Sequence, residues 1–547
     1  MSARRRWPRG LTGALIALIA GGAGYWLVRD AGASAAPPSP VAKRRVVAAP
    51  QRATAPRPTK NPARDRFADG TTIELFGSCR EEEIILRFPS EASYDSFIDA
   101  LAASQVRLIG RLDRLLAIRV GASEEELEQI FRLFEDEEIT GYKTLTSLPE
   151  PPRVKGGASA GVATPFGNEV LPWLGVTGDN SRWGSGVKVA VVDTGIVPHA
   201  ALPRLSASIE IMPFPADITA TQGHGTAVAS LIAGVHPLAR GIAPAVDLIS
   251  VRVMDEGGLS DSYFVAAGLL AAMDAGAEIV NLSLGVQQDS PLLAEAIRML
   301  LEQGIVVVAS SGNSGQSEAK YPAAYPGVIG VGAVDASGER MAFSNLGSEL
   351  GMTAPGYGVN AAAPGGGFVR VSGTSASAPL VAGAIAATIS DGSGRRLSAA
   401  DAVAIVMACA DDEGPPGFDA EYGTGVLNLG RVMNRHVPGR CDAVVTWQQL
   451  VSGAGAGAAD QLRVTVQNRG TAALINTRVE IATAAGTSTV TATTIAPGMS
   501  ENFSVPFDRL KMADLPYAAI TTTAIPGNAA VDLTPENNRR TDVLTLR

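Results

Sequence analysis

Between residues 187 and 313 short apolar runs alternate with longer helical stretches, and this rhythm restricts the fold more than any other feature of the chain. "VKVAVVDTG" (187–195) is an almost unbroken apolar run ending in Asp and Gly, as expected of a strand buried on both faces. "HGTAVASLIAG" (224–234) has helical character, and "DLISVRVM" (247–254) returns to a strand pattern. "DSYFVAAGLLAAMDAG" (261–276) is a helix, "EIVNLSLG" (278–285) a strand, "PLLAEAIRMLLEQG" (291–304) a helix and "IVVVASSGN" (305–313) a strand. Strands joined by helices of this length lie parallel, with right-handed crossovers and helices on both faces. The expected fold class is therefore α/β with a parallel, doubly wound sheet. Ligand sites in such sheets lie beyond the carboxyl ends of the strands. Asp193, Ser283 and Asn313 fall at such ends.

The flanks differ from this centre. The chain has 547 residues, more than one ordinary domain needs. Residues 71–150 read as a small α+β domain in the order β-α-β-β-α-β, a ferredoxin-like arrangement. Its second helix, "SEEELEQIFRLFED" (123–136), opens with a Ser–x–x–Glu capping box at Ser123 and Glu126. Residues 151–164 read as a processing linker, and "PEPPRVKGGASAG" (149–161) is rich in Pro and Gly. Residues 165–436 hold the alternating domain. Residues 441–547 show alternating strands and turn residues with no long helix, the pattern of a β-sandwich.

Residues 1–70 carry 13 Lys and Arg against 3 Asp and Glu, whereas the whole chain is −9. A basic head on an acidic body argues against nucleic-acid binding by the folded part. Residues 11–28 are uncharged and apolar behind a basic start, so 1–30 is a secretory signal peptide or a membrane anchor. Either places the body outside the cytoplasm, secreted, periplasmic or held at the membrane. Residues 31–70 read as a disordered Pro/Ala/Arg linker. The three cysteines suggest no metal cluster. Cys409 and Cys441 are candidates for a disulfide, with two unpaired thiols as the alternative.

Four motifs stand in order: "AVVDTGI" around Asp193, "QGHGTAVAS" around His224, "SSGNSG" around Asn313 and "SGTSASAP" around Ser375. The intervals are 31, 89 and 62 residues. The chain here resembles the subtilisin-like serine proteases, the subtilase family of peptidase S8 type, over roughly 165–435. A serine hydroxyl attacks a carbonyl only when a base removes its proton, and a neutral imidazole can do so near neutral pH. A carboxylate then fixes the imidazole's tautomer and stabilises its positive form. The resemblance implies Ser375 as nucleophile, His224 as general base and acid, Asp193 as orienting carboxylate and Asn313 as an oxyanion-hole donor. In subtilisin, losing such a donor costs about 2.7–4 kcal/mol. His199, His236 and His436 lack motif context for catalysis.

The same resemblance implies further expectations. Sedolisin-like peptidases carry Glu and Asp where this chain has His224 and Asn313, so that branch is excluded and neutral or alkaline activity is expected. Ala376 stands where many members have Met, and "HAAL" (199–202) replaces the usual "HPDL". Ser283, Leu284, Gly285, Ser311 and Gly312 would wall the pocket for the residue before the scissile bond, with Lys320 near its floor favouring acidic, or at least disfavouring basic, side chains; the alternative is a Lys320 that points to solvent. Residues 71–150 would be a propeptide, a folding assistant and intramolecular inhibitor removed by self-cleavage between about 145 and 168. Residues 441–547 loosely resemble bacterial Ig-like domains. No cofactor is needed for catalysis. A structural calcium ion is possible in the family, and no acidic loop stands out as its site. Partners would be protein or peptide substrates. Pro379 is expected in the first turn of a buried helix that begins at Ser375.

Overall fold

The computed structural model describes residues 83–545 except for short segments, the longest being 127–138, 148–162, 215–222, 452–459 and 508–516. The expected signal or anchor, the linker at 31–70 and nearly all of the second propeptide helix lie outside the described residues. Among the described residues no helix is long and apolar enough to cross a membrane. The chain forms two compact units, the first ending at Lys143 and the second running from Thr144.

In the first unit the strands lie in the order Arg107–Leu112, Ala117–Gly121, Glu83–Arg87, Thr140–Tyr142, every neighbouring pair antiparallel. That is the order of a ferredoxin-like sheet. Helix Glu91–Leu101 starts at Ser90, whose side chain accepts the Ser93 N–H. It buries Tyr94, Phe97 and Leu101, which join Ile84, Leu86 and Val120 in one core.

The second unit is built on seven parallel strands. Their order is Leu350–Pro355, Ile329–Val334, Val306–Ser310, Ile279–Leu282, Lys188–Asp193, Asp247–Arg252, Ala207–Glu210. Val189, Ala190, Val191 and Val192 are all fully buried, so the near-continuous apolar run reflects helices on both faces. Helix Thr374–Ile389 is buried along its whole length, against the helix His224–Ala233 and the central strands. Its Ala and Gly content makes this approach feasible. A Cβ on Gly383 would stand only 3.1 Å from the Ile242 Cβ.

Pro379 departs from the expectation. The helix begins at Thr374, so Pro379 lies inside it, beyond the first turn. A proline there removes the N–H that would bond the carbonyl four residues earlier, which is that of Ser375. The Ser283 hydroxyl donates to that carbonyl instead, at 3.0 Å. The interruption is thus satisfied from a different strand.

Residues Leu145–Ser147 pair antiparallel with Leu259–Asp261, in the register Leu145 to Asp261, Thr146 to Ser260 and Ser147 to Leu259. Beyond residue 441 two antiparallel sheets face one another. One comprises Ala443–Val451, Asp460–Asn468 and Ser500–Phe507; the other comprises Gly486–Ile495, Leu474–Thr483, Tyr517–Ile525 and Arg539–Thr545. Val464, Phe503, Val479, Ala492 and Ile520 share their core. Cys409 and Cys441 are not bonded to each other. Of the two readings left open the structure has the unpaired one: Cys441 lies in the sandwich core and Cys409 caps the helix Ala399–Ala408.

This sandwich meets the α/β part through charge. Arg469 places its guanidinium 2.9 Å from both Asp411 and Glu413, and Arg540 reaches Glu339 at 2.6 Å. Burial pushes Glu413 up to about 8, against the pull of Arg469 and Arg540.

Candidate active site

Asp193 closes the strand Lys188–Asp193 and has no exposed surface. Its carboxylate accepts the Thr194 N–H at 2.7 Å. His224 is the first residue of the helix that packs beside this strand end. Gly225 makes that approach possible, since a Cβ there would stand 2.5 Å from the Gly195 oxygen. The Gly225 N–H donates to the Thr194 hydroxyl at 3.0 Å, which ties the helix start to the strand end. His224 Nδ1 lies 2.8 Å from both carboxylate oxygens of Asp193. Such a contact places the ring proton on Nδ1 and leaves Nε2 as the basic nitrogen.

Ser375 is the second residue of the buried helix and is 1% exposed. Its hydroxyl donates to the Ser283 carbonyl at 3.3 Å, while the Ser283 hydroxyl donates to the Ser375 carbonyl. Asn281 Nδ2 donates to the Ser283 hydroxyl at 3.0 Å and fixes its rotamer.

Asn313 follows the strand Val306–Ser310. Its Oδ1 accepts both the Thr374 N–H and the Thr374 hydroxyl at 2.9 Å. The Thr374 hydroxyl in turn accepts the Gly312 N–H at 3.1 Å. With its oxygen held twice, Asn313 must present its NH2 group the other way. That group faces Gly373, where a Cβ would come within 2.8 Å of Nδ2. Gly373 has φ +133°, a conformation that L side chains rarely adopt. The Ser375 N–H belongs to the first turn, whose N–H groups have no intrahelical acceptor and carry the positive end of the helix dipole.

Of the residues expected to wall a pocket, Ser283 bonds Ser375 and Gly312 bonds Thr374. Ser283 and Leu284 are fully buried at the end of strand Ile279–Leu282. Ser311 is buried and accepts the Lys320 N–H at 2.9 Å. The Lys320 stem runs along Gly285 and Gly312. His199 and His236 both pack on the Phe368 ring, His199 edge-on and His236 stacked. Among the described residues no group of three or more His, Cys, Asp or Glu is placed to hold a metal ion.

Two supporting side chains escaped the sequence reading. Thr374 is fully buried and locks Asn313; its only sequence signal was its place directly before the candidate serine. Arg252 is 1% exposed, bonds the Thr194 and Pro213 carbonyls and lies 4.7 Å over the Phe214 ring. It is the register partner of Asp193 in the neighbouring strand, so it braces the turn that follows Asp193. Ser372 accepts the Gly358 N–H, and Ser377 donates to the Ala354 and Pro355 carbonyls.

Residues 184–425 match the model of the subtilase family. The chain is 40% identical over 205 residues to subtilisin BL of Lederbergia lenta, covering 37% of this chain and 76% of that protein. It is 36% identical over 253 residues to a thermostable alkaline protease of Halalkalibacterium halodurans, covering 45% of this chain and 69% of that protein. It is 40% identical over 205 residues to alkaline elastase YaB of Bacillus sp. (strain YaB), covering 37% of this chain and only 54% of that protein. Together with the parallel sheet and the residues gathered at its strand ends, these matches assign the fold and the chemistry: the chain belongs to the subtilase family of serine endopeptidases.

Proposed function

We propose that this protein is an exported endopeptidase that works through an Asp193/His224/Ser375 triad and is made as a self-inhibited precursor. The observation that carries the triad is the buried Asp193–His224 contact at 2.8 Å, which leaves a basic nitrogen on the imidazole. Ser375 Oγ attacks the scissile carbonyl carbon and His224 Nε2 takes its proton. The developing oxyanion receives Asn313 Nδ2–H and the Ser375 N–H. His224 then returns the proton to the leaving amine, and an acyl-enzyme on Ser375 remains for water to hydrolyse. Asp193 holds the imidazole tautomer and stays ionised throughout. The second donor to the oxyanion comes from the backbone.

The precursor reading is supported by Leu145–Ser147. An extended segment that adds a strand to an existing edge is the way proteases and other domains hold peptides. The edge it uses, Leu259–Asp261, follows the strand beside that of Asp193. The segment thus resembles a bound substrate strand, and the chain directly after it is where self-cleavage between about 145 and 168 is expected. Residues 71–150 then act as the folding assistant and inhibitor. The sandwich beyond residue 441 serves as a bracing module, because Arg469 and Arg540 reach acidic groups of the α/β part.

The test combines a fluorophosphonate probe with intact-mass analysis of the purified protein. Wild type is expected to label and to mature, and Ser375→Ala to do neither. Normal maturation of Ser375→Ala purified alone refutes self-processing, and a wild type that never labels refutes the triad.

A further inference from the structure

Two glycine walls flank the candidate active site, and a lysine stands between them. Gly285 lies two residues after Ser283, whose carbonyl holds the Ser375 hydroxyl. Gly312 lies directly before Asn313. When a substrate carbonyl carbon meets Ser375 and its oxygen meets Asn313, the side chain of that residue points into the space between these walls. Neither wall has a side chain of its own to fill that space. A Cβ on Gly285 would lie 3.5 Å from Lys320 Cβ and 3.7 Å from its Cδ. A Cβ on Gly312 would lie 3.1 Å from both Cγ and Cδ of Lys320. The lysine stem therefore lies against both walls. Its ammonium lies two bonds beyond Cδ.

The surrounding backbone keeps the lysine there. The Lys320 N–H donates to the Ser311 carbonyl, and the Ala324 N–H donates to the Lys320 carbonyl at 3.1 Å. Asn345 ties the intervening loop, accepting from the N–H groups of Ser314 and Gln316 and donating to the Glu318 carbonyl. These bonds fix the backbone from which the Lys320 stem reaches along both glycines. Its stem offers apolar surface along its length and a cation at its tip.

We infer that Lys320 makes this enzyme select peptides with an acidic residue, glutamate above all, immediately before the scissile bond. Three effects act together. The ammonium pairs with a carboxylate in a partly desolvated slot, where a charge-assisted hydrogen bond is stronger than in water. It repels Lys and Arg at the same place. The stem shortens the slot, so Phe and Tyr cannot enter fully. This inference rests on the triad reading above, since without Ser375 as nucleophile the slot has no reacting residue.

The experiment uses the matured protein and tetrapeptide nitroanilides that differ only in the last residue: Glu, Gln, Phe or Lys. Fluorophosphonate titration fixes the concentration of active sites. Wild type is expected to favour Glu over the isosteric Gln by about tenfold to hundredfold in kcat/KM, and this ratio should shrink with added salt. Lys320→Gly should erase the Glu/Gln ratio and raise Phe turnover. Lys320→Glu should invert the preference towards the Lys substrate. Each ratio is taken within one protein, so a loss of folded material cancels. A wild type that titrates and turns over but shows equal Glu and Gln rates, or ratios unchanged in both variants, overturns this inference while leaving the triad intact. A wild type that does not titrate removes the triad reading and this inference with it.

Discussion

Replacing Thr374 by Val tests whether Asn313 is held ready before the reaction. The two side chains have nearly the same shape, so packing changes little, but the hydroxyl is lost. In the structure that hydroxyl donates to Asn313 Oδ1 at 2.9 Å and accepts the Gly312 N–H at 3.1 Å. The Thr374 N–H still holds Asn313 Oδ1, so the amide keeps one of its two anchors. Loss of one buried bond and exposure of one orphaned N–H should cost about 2–3 kcal/mol of stability. The catalytic effect is separate. Complete loss of the oxyanion donor costs about 2.7–4 kcal/mol in subtilisin. Loosening it by one of two anchors should cost about 1–1.5 kcal/mol, roughly five- to tenfold in kcat. KM should hardly move, because the donor acts on charge that develops only in the transition state. The assay is steady-state hydrolysis of a peptide nitroanilide, normalised by fluorophosphonate titration, with melting measured in a Ser375→Ala background to prevent autolysis. Thr374→Ser, which keeps the hydroxyl, should recover most of the rate. If Thr374→Val melts earlier but keeps its kcat within about twofold of wild type, the orientation argument fails and Thr374 is merely structural.

Gly373→Ala should be more severe, because its Cβ would stand 2.8 Å from Asn313 Nδ2 on a backbone with φ +133°. We expect kcat to fall by at least about a hundredfold, read in the same assay, since the amide must move off the oxyanion. The acidic junction with the sandwich should make stability depend on pH. Glu413 is raised from the ordinary 4.5 to about 8, chiefly by burial, so the folded state binds its proton more tightly than the unfolded chain. Its stabilising contribution is complete below about pH 4.5 and is lost progressively as pH rises to about 8, with a ceiling of about 5 kcal/mol at about 1.4 kcal/mol per pH unit. Glu413→Gln should flatten the melting temperature of the Ser375→Ala protein across that window; an unchanged slope assigns the pH dependence elsewhere.

The parallel sheet was legible in the amino-acid order for a local reason, whereas the four chemistry-bearing residues were expected from motifs that resemble those of the subtilases. A strand buried on both faces must be apolar throughout, and a site at its carboxyl end must break that run with a polar residue. Asp193, Ser283 and Asn313 do so where the runs stop. The chemistry narrows the choice further, because few residue types can serve as base, nucleophile or carboxylate. What escaped the sequence depends on which distant segments touch. Pro379 takes its meaning from Ser283, 92 residues from the carbonyl it bonds, and only the fold decides between the two cysteine readings, leaving Cys409 and Cys441 unbonded to each other. Arg252 reads in sequence as one polar residue in an apolar strand, yet the fold sets it beside Asp193. Gly285, Gly312 and Lys320 were expected together from the resemblance, but the contacts of the lysine stem with both glycines exist only once two strand ends and a later loop have been brought together. The order of residues therefore determined the sheet and the chemistry it can perform. The tertiary structure decided how tightly each group is aimed and which side chains the site can take, because hydrogen bonds and pocket walls are made across the chain rather than along it.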